Sequence, residues 1–208
     1  MKFWFLTPFA AFALAGCSNP PPLQTFPTLD YSYLPPIVLK VASLNVVNNY
    51  VPTPSQATLI GQDPAPPATV LLTMLNHRII ASGAPGTGTV TIANASIDQI
   101  GGNLTGTITV DINVSSPDGH STGYAEATVS ASRTAPATDA SRNDMQAALY
   151  GLTKQLMTNM NVQLQYQIQH NLGSWLSWTG APGTAAPAAG ATPGGLSGIQ
   201  ATPLTAPA

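Results

Sequence analysis

The chain has 208 residues, 44% hydrophobic and only 7% charged, with 6 Lys and Arg against 8 Asp and Glu for a formal net charge of −2. No basic patch exists to displace counterions from phosphates, which excludes nucleic acid as a partner. The single Cys rules out an internal disulfide or a thiolate zinc cage, so the fold must stand on its hydrophobic core.

The first residues read as an export signal: Lys2, then an apolar run from Phe3 to Ala13, then Leu14-Ala15-Gly16-Cys17. That run is too short to cross a bilayer, which needs ~20 apolar residues. Leu14-Ala15-Gly16-Cys17 resembles the lipobox of bacterial lipoproteins. The resemblance implies a signal peptide over residues 1–16, with diacylglycerol on the Cys17 thiol and an acyl chain on its amino group. No other cofactor is expected. Each buried CH₂ adds ~0.8 kcal/mol, so two or three chains hold a protein firmly to a leaflet. Ser18 stands where an Asp would retain such a protein in the inner membrane, so the family's sorting rule implies the periplasmic face of the outer membrane.

Residues 17–36 hold Pro20, Pro21, Pro22, Pro27, Pro35 and Pro36, which predicts an extended tether. Residues 37–178 are expected to form the folded domain. In it, Ile37, Leu39 and Val41 alternate with Val38, Lys40 and Ala42 as a strand, followed by a loop through Pro52, Pro54 and Gly61. Asp63 before Pro64 predicts an N-cap, with the first turn at Pro64, Pro66 or Pro67, and Ala68, Leu71, Leu72, Leu75 and Ile79 form a helical stripe that Gly83 would stop.

Three strands follow. The first covers Thr89 to Ile97. Gly101-Gly102-Asn103 then turns the chain into Leu104 to Val114, where Ile108, Val110, Ile112 and Val114 alternate with Thr107, Thr109, Asp111 and Asn113. Pro117-Asp118-Gly119 predicts a turn into an antiparallel strand from Gly123 to Arg133, whose inward side chains Ala125, Ala127, Val129 and Ala131 are small. Ser141-x-x-Asp144 resembles a capping box, opening a long helix with Met145, Leu149, Leu152, Leu156, Met160, Leu164, Ile168 and Leu172 on its stripe. The order β-α-β-β-β-α predicts an α+β two-layer sandwich, a four-stranded mostly antiparallel sheet with two helices on one face. Residues 179–208, rich in Gly, Ala, Pro and Thr and free of charge, are expected to be disordered.

Catalysis needs His, Asp, Glu or Cys to converge, and the supply is thin. His77, His120 and His170 fall on solvent positions, and no pair has helical metal-ligand spacing, so no metal is expected. Asp111 and Glu126 fall on neighbouring strands of one hairpin and invite a glycosidase reading, which ordinary solvation of strand carboxylates outweighs. Gly83-Ala84-Pro85-Gly86-Thr87-Gly88 lacks the following helix and Lys of a phosphate cradle. No catalytic residue is therefore assigned.

The stripe of the last helix carries more information. Steps of four residues overshoot a turn by ~40°, so from Leu152 to Leu172 it rotates by ~200°. Either the helix bends around Asn159-Met160-Asn161 to close its own core, or its far end offers Leu172, Trp175, Leu176 and Trp178 to a partner or to lipid. The element order with its lipobox resembles small periplasmic lipoproteins that assist lipopolysaccharide assembly or transporter complexes. This implies a non-catalytic accessory or scaffold role beside an envelope protein complex. A cell-wall-associated structural lipoprotein is the alternative, and a periplasmic hydrolase the third reading.

Overall fold

The computed structural model describes residues 24–177. The chain divides at Trp178, and the second unit, Trp178–Ala208, lies outside the described residues, as do Leu14–Cys17 and Ser18.

The folded unit begins before the expected boundary at Ile37. Phe26 packs on the Tyr150 ring at 5.3 Å, the Tyr150 hydroxyl donates to the Pro27 carbonyl at 2.8 Å, and Leu29 and Tyr31 join the core. These partly buried side chains hold the second half of the expected tether against the domain. The expected strand to Ala42 also breaks. The Val41 N–H turns back to the Leu39 carbonyl at 2.9 Å, separating β1 (Ile37–Leu39) from β2 (Ser43–Asn48).

Where a loop was expected, helix α1 spans Pro54–Ile60, opened by a reciprocal capping box between Thr53 and Gln56 with Pro54 in the first turn. Helix α2, Pro67–Arg78, starts at the last of the three expected prolines and has no side-chain cap, so Asp63 is not its N-cap. Pro64, Pro66 and Pro67 lack N–H groups and push the residues before them into extended backbone, so the helix cannot begin at Asp63. It ends at Arg78, before Gly83, because Ile79 enters β3 (Ile79–Ala81), which pairs parallel with β1.

The main sheet joins β2 to β4 (Thr87–Ile100), β5 (Asn103–Ser115) and β6 (Thr122–Thr134) in the order β2-β4-β5-β6. The β2–β4 pair is parallel and the others antiparallel, and α1 with α2 supplies the crossover that a parallel pair needs. Helices α2 and α3 (Arg142–Asn171) lie on one face, so the α+β two-layer architecture holds. Ser141 and Asp144 form the expected capping box of α3.

The rotating stripe of α3 is buried from end to end: Leu152, Leu156, Met160, Leu164, Ile168 and Leu172 are all 0% exposed. Rows of side chains four residues apart wind with the same hand as a twisted sheet, so the stripe follows the sheet beneath it. Its two ends reach glycines. A Cβ at Gly106 would collide with Leu156, and one at Gly123 would lie 2.7 Å from Leu172. A 3-10 turn over Gly173–Trp175 then carries the chain back to β1, where the Lys40 N–H donates to the Trp175 carbonyl at 2.7 Å and the Ser177 N–H to Val38 at 2.8 Å.

Candidate functional site

Three places concentrate polar chemistry. The first is the sheet face that carries no layer of long helices. Strict alternation on β5 and β6 sends every second side chain there, where hydroxyls pair across the strands: Thr105 with Ser132 at 3.4 Å, Thr107 with Ser130 at 3.1 Å, and Thr109 with Thr128 at 3.0 Å. The next rung is Asp111 opposite Glu126, the two carboxylates singled out by sequence. Like charges directly opposite destabilise a sheet. Here Tyr124 lies between them, its hydroxyl 3.0 Å from Asp111 Oδ1 and 2.9 Å from Glu126 Oε2. A phenol has one proton, so it donates to one carboxylate at a time. Lost hydration first, then the bonds to Glu126 and Asp111 and their negative charge, hold the Tyr124 hydroxyl well above the ordinary phenol range. Sequence reasoning missed Tyr124, although its spacing two residues before Glu126 places both on one strand face.

Beside this rung lies a shallow concavity of about 300 Å³ walled by Thr89, Asn113, Ser115, Thr122 and Tyr124. The groups present can hydrogen-bond hydroxylated or cationic material, but the face is open to water, which weakens each such interaction.

The second place is the end of the domain where the β5–β6 turn meets the loop before β4. Lys40, Pro85, Ser116, His120, Ser121 and Trp175 border a recess of about 660 Å³, and Lys40 Nζ donates to the Ser174 carbonyl at 3.2 Å. Asp118, in the same turn, accepts from Ser116 Oγ and from the His120 N–H, and these two bonds lower its pKa.

The third place is buried. Asp63, expected as a helix cap, is 6% exposed. It accepts from the Ala65 N–H at 2.9 Å and from Thr153 Oγ1 at 2.7 Å, tying the loop before α2 to α3. Burial pushes its carboxyl up to about 6, against the two bonds that pull it down. Arg78, 2% exposed, donates to the Pro35 carbonyl at 2.6 Å and to Gln165 Oε1 at 2.7 Å. Loss of hydration lowers its pKa.

His77, His120 and His170 are exposed, and among the described residues no three metal-ligating side chains cluster. Of the residues expected to face a partner, Leu172 is 0% and Leu176 9% exposed, and Trp175 is half-buried with its ring over Gly86 and Gly123. The backbone bonds to β1 turn this segment onto the domain's own core, leaving Leu172 and Leu176 no surface to offer. Trp178 lies outside the described residues.

The chain matches no protein-family model and no characterised sequence. Solved structures with some likeness include a Xanthomonas campestris protein described under DUF330, with 13% identity and a TM-score of 0.37, covering 69% of this chain and 92% of that one. Another is described as a lipoprotein from Caulobacter crescentus, with 14% identity, a TM-score of 0.23, and 59% and 90% of the two chains covered. A third is lipoprotein GNA1162 from Neisseria meningitidis, with 10% identity, a TM-score of 0.28, and 60% and 99% covered. At such scores they assign neither family nor role.

Proposed function

We propose that the protein is a lipid-anchored envelope protein, held through Cys17 at the periplasmic face of the outer membrane. There it acts as a non-catalytic accessory or scaffold in envelope transport or assembly. The observation that carries this reading is Leu14-Ala15-Gly16-Cys17 after a short apolar run, with the only thiol of the chain at the position to be acylated. The folded part is consistent with a contact role, since its hydroxyl ladder and its Asp111–Tyr124–Glu126 rung lie on an open sheet face. Among the described residues no helix is long and apolar enough to cross a membrane.

The anchor is tested by Cys17→Ser. The variant should accumulate as unprocessed precursor, and mature, membrane-bound protein from it would overturn the reading. Ser18→Asp should move the protein to the inner-membrane fraction. Crosslinking in cells followed by purification tests the role: a membrane-protein complex supports an accessory function, and wall fragments would point to a cell-wall structural protein instead.

A further inference from the structure

Strand β6 ends the main sheet, and it is 13 residues long. Its pairing with β5 runs without a bulge from Thr122 to Thr134, and it contains no Pro and no Lys, its charged side chains being Glu126 and Arg133 alone. Natural sheets usually blunt so long an edge with such devices. The opposite edge, β2, has only 6 residues.

The hydrogen-bond phase of the free edge follows from the two ends of the hairpin. The Ser116 N–H donates to the Ser121 carbonyl at 2.8 Å and the Ala135 N–H to the Gly102 carbonyl at 2.9 Å, so residues 121 and 135 face β5. Antiparallel strands alternate. The odd residues between them therefore also bond to β5, and the backbone groups of Thr122, Tyr124, Glu126, Thr128, Ser130, Ser132 and Thr134 point away from the sheet. Among the described residues no other group bonds to them.

We propose that this edge is the interface between two copies of the chain. The copies pair antiparallel through β6 about a two-fold axis at Thr128, giving one continuous sheet of twice the four strands of a single copy. Thr128 is the midpoint of the strand, so this register alone pairs its full length. On the open face it sets Tyr124 against Ser132 and Glu126 against Ser130, and no carboxylate meets another. A two-fold axis at Glu126 would oppose two carboxylates directly. On the core face the register sets Ala125 against Ala131 and Ala127 against Val129, small side chains that leave room for the two α3 helices to run side by side. Helix α3 packs mainly on β6 and suits that neighbour: from Gln155 to Asn171 it carries no formal charge. A closed two-fold contact of this kind satisfies every free edge group without leaving a new edge beside it.

The test is the mass of the full chain, purified in mild detergent, by sedimentation equilibrium across the micromolar range. A dimer is expected. Thr128→Lys and Thr128→Glu each place like charges on the axis and should weaken self-association at least ~tenfold, the effect of ~1.4 kcal/mol. Mixing the two variants in equal amounts should restore a dimer, which also shows that both are folded. Thr91→Lys, on the same face two strands inward and opposite Asp111, should stay dimeric. A monomeric parent chain, including one whose edge is covered by residues 178–208 or by a strand from another protein, would overturn the proposal. So would a dimer indifferent to Thr128→Lys, or a mixture that stays monomeric.

Discussion

Asp63 shows how one buried group sets a pH dependence. Its carboxylate has given up most of its water for one N–H and one hydroxyl, and its pKa rises from 3.8 to about 6. The folded protein thus holds this proton more tightly than the unfolded chain. The associated stability is fully present below about pH 4 and is lost as the pH rises through 6, up to about 3 kcal/mol in all. Exposed Asp30 and Asp118, both shifted downward by bonds to neighbouring residues, act in the opposite sense, so the comparison needs a variant. Asp63→Asn keeps an acceptor for the Ala65 N–H and cannot ionise. Denaturant melts between pH 5 and 7.5 should show the parent losing stability relative to Asp63→Asn as the pH rises.

At the scale of the element, α3 is the organiser, and the segment after it belongs to the same core. Leu172→Ala empties a fully buried position and should cost about 2–5 kcal/mol. Trp175→Ala, half-buried over Gly86 and Gly123, should cost about 2 kcal/mol, below the usual figure for a core aromatic. Urea titrations of the two variants read both figures. If this end of the helix faced a partner, both losses would be close to zero. The capping box at Ser141 and Asp144 was legible because its signal is local, a hydroxyl and a carboxylate three residues apart before a periodic stripe. The same signal at Thr53 and Gln56 opens α1, which a reading dominated by Pro52 and Pro54 takes for a loop.

For the whole molecule, composition and structure divide the chain differently at its two ends. Residues 24–36 contribute Phe26, Leu29 and Tyr31 to the domain and the Pro35 carbonyl to Arg78, so deleting them should lower the melting midpoint by several degrees, ~1–2 kcal/mol by apolar area and one charged hydrogen bond. Residues 180–208 have no apolar cluster in sequence, and deleting them should leave the midpoint nearly unchanged. Scanning calorimetry of the two truncations checks both outcomes, and a large shift from the second would mean that the tail docks.

The amino-acid sequence by itself determined the hairpin of β5 and β6, the small inward face of β6, the long capped helix and the α+β class, because period, turn chemistry and capping are set by residues close in the chain. It also placed Asp111 and Glu126 on the two strands of one hairpin, and the structure sets them on one rung. Only the tertiary structure decided that Asp63 is buried against Thr153, 90 positions away, that Arg78 reaches Pro35 and Gln165, and that Trp175 closes onto Gly86 before β4 and Gly123 of β6. Those outcomes depend on which distant surfaces meet once the core collapses, and no local pattern encodes the partner. The free edge of β6 belongs to both levels: its length is written in the alternation from Gly123 to Arg133, but its position at the end of the sheet follows from β4 taking β2, and not β6, as its second neighbour.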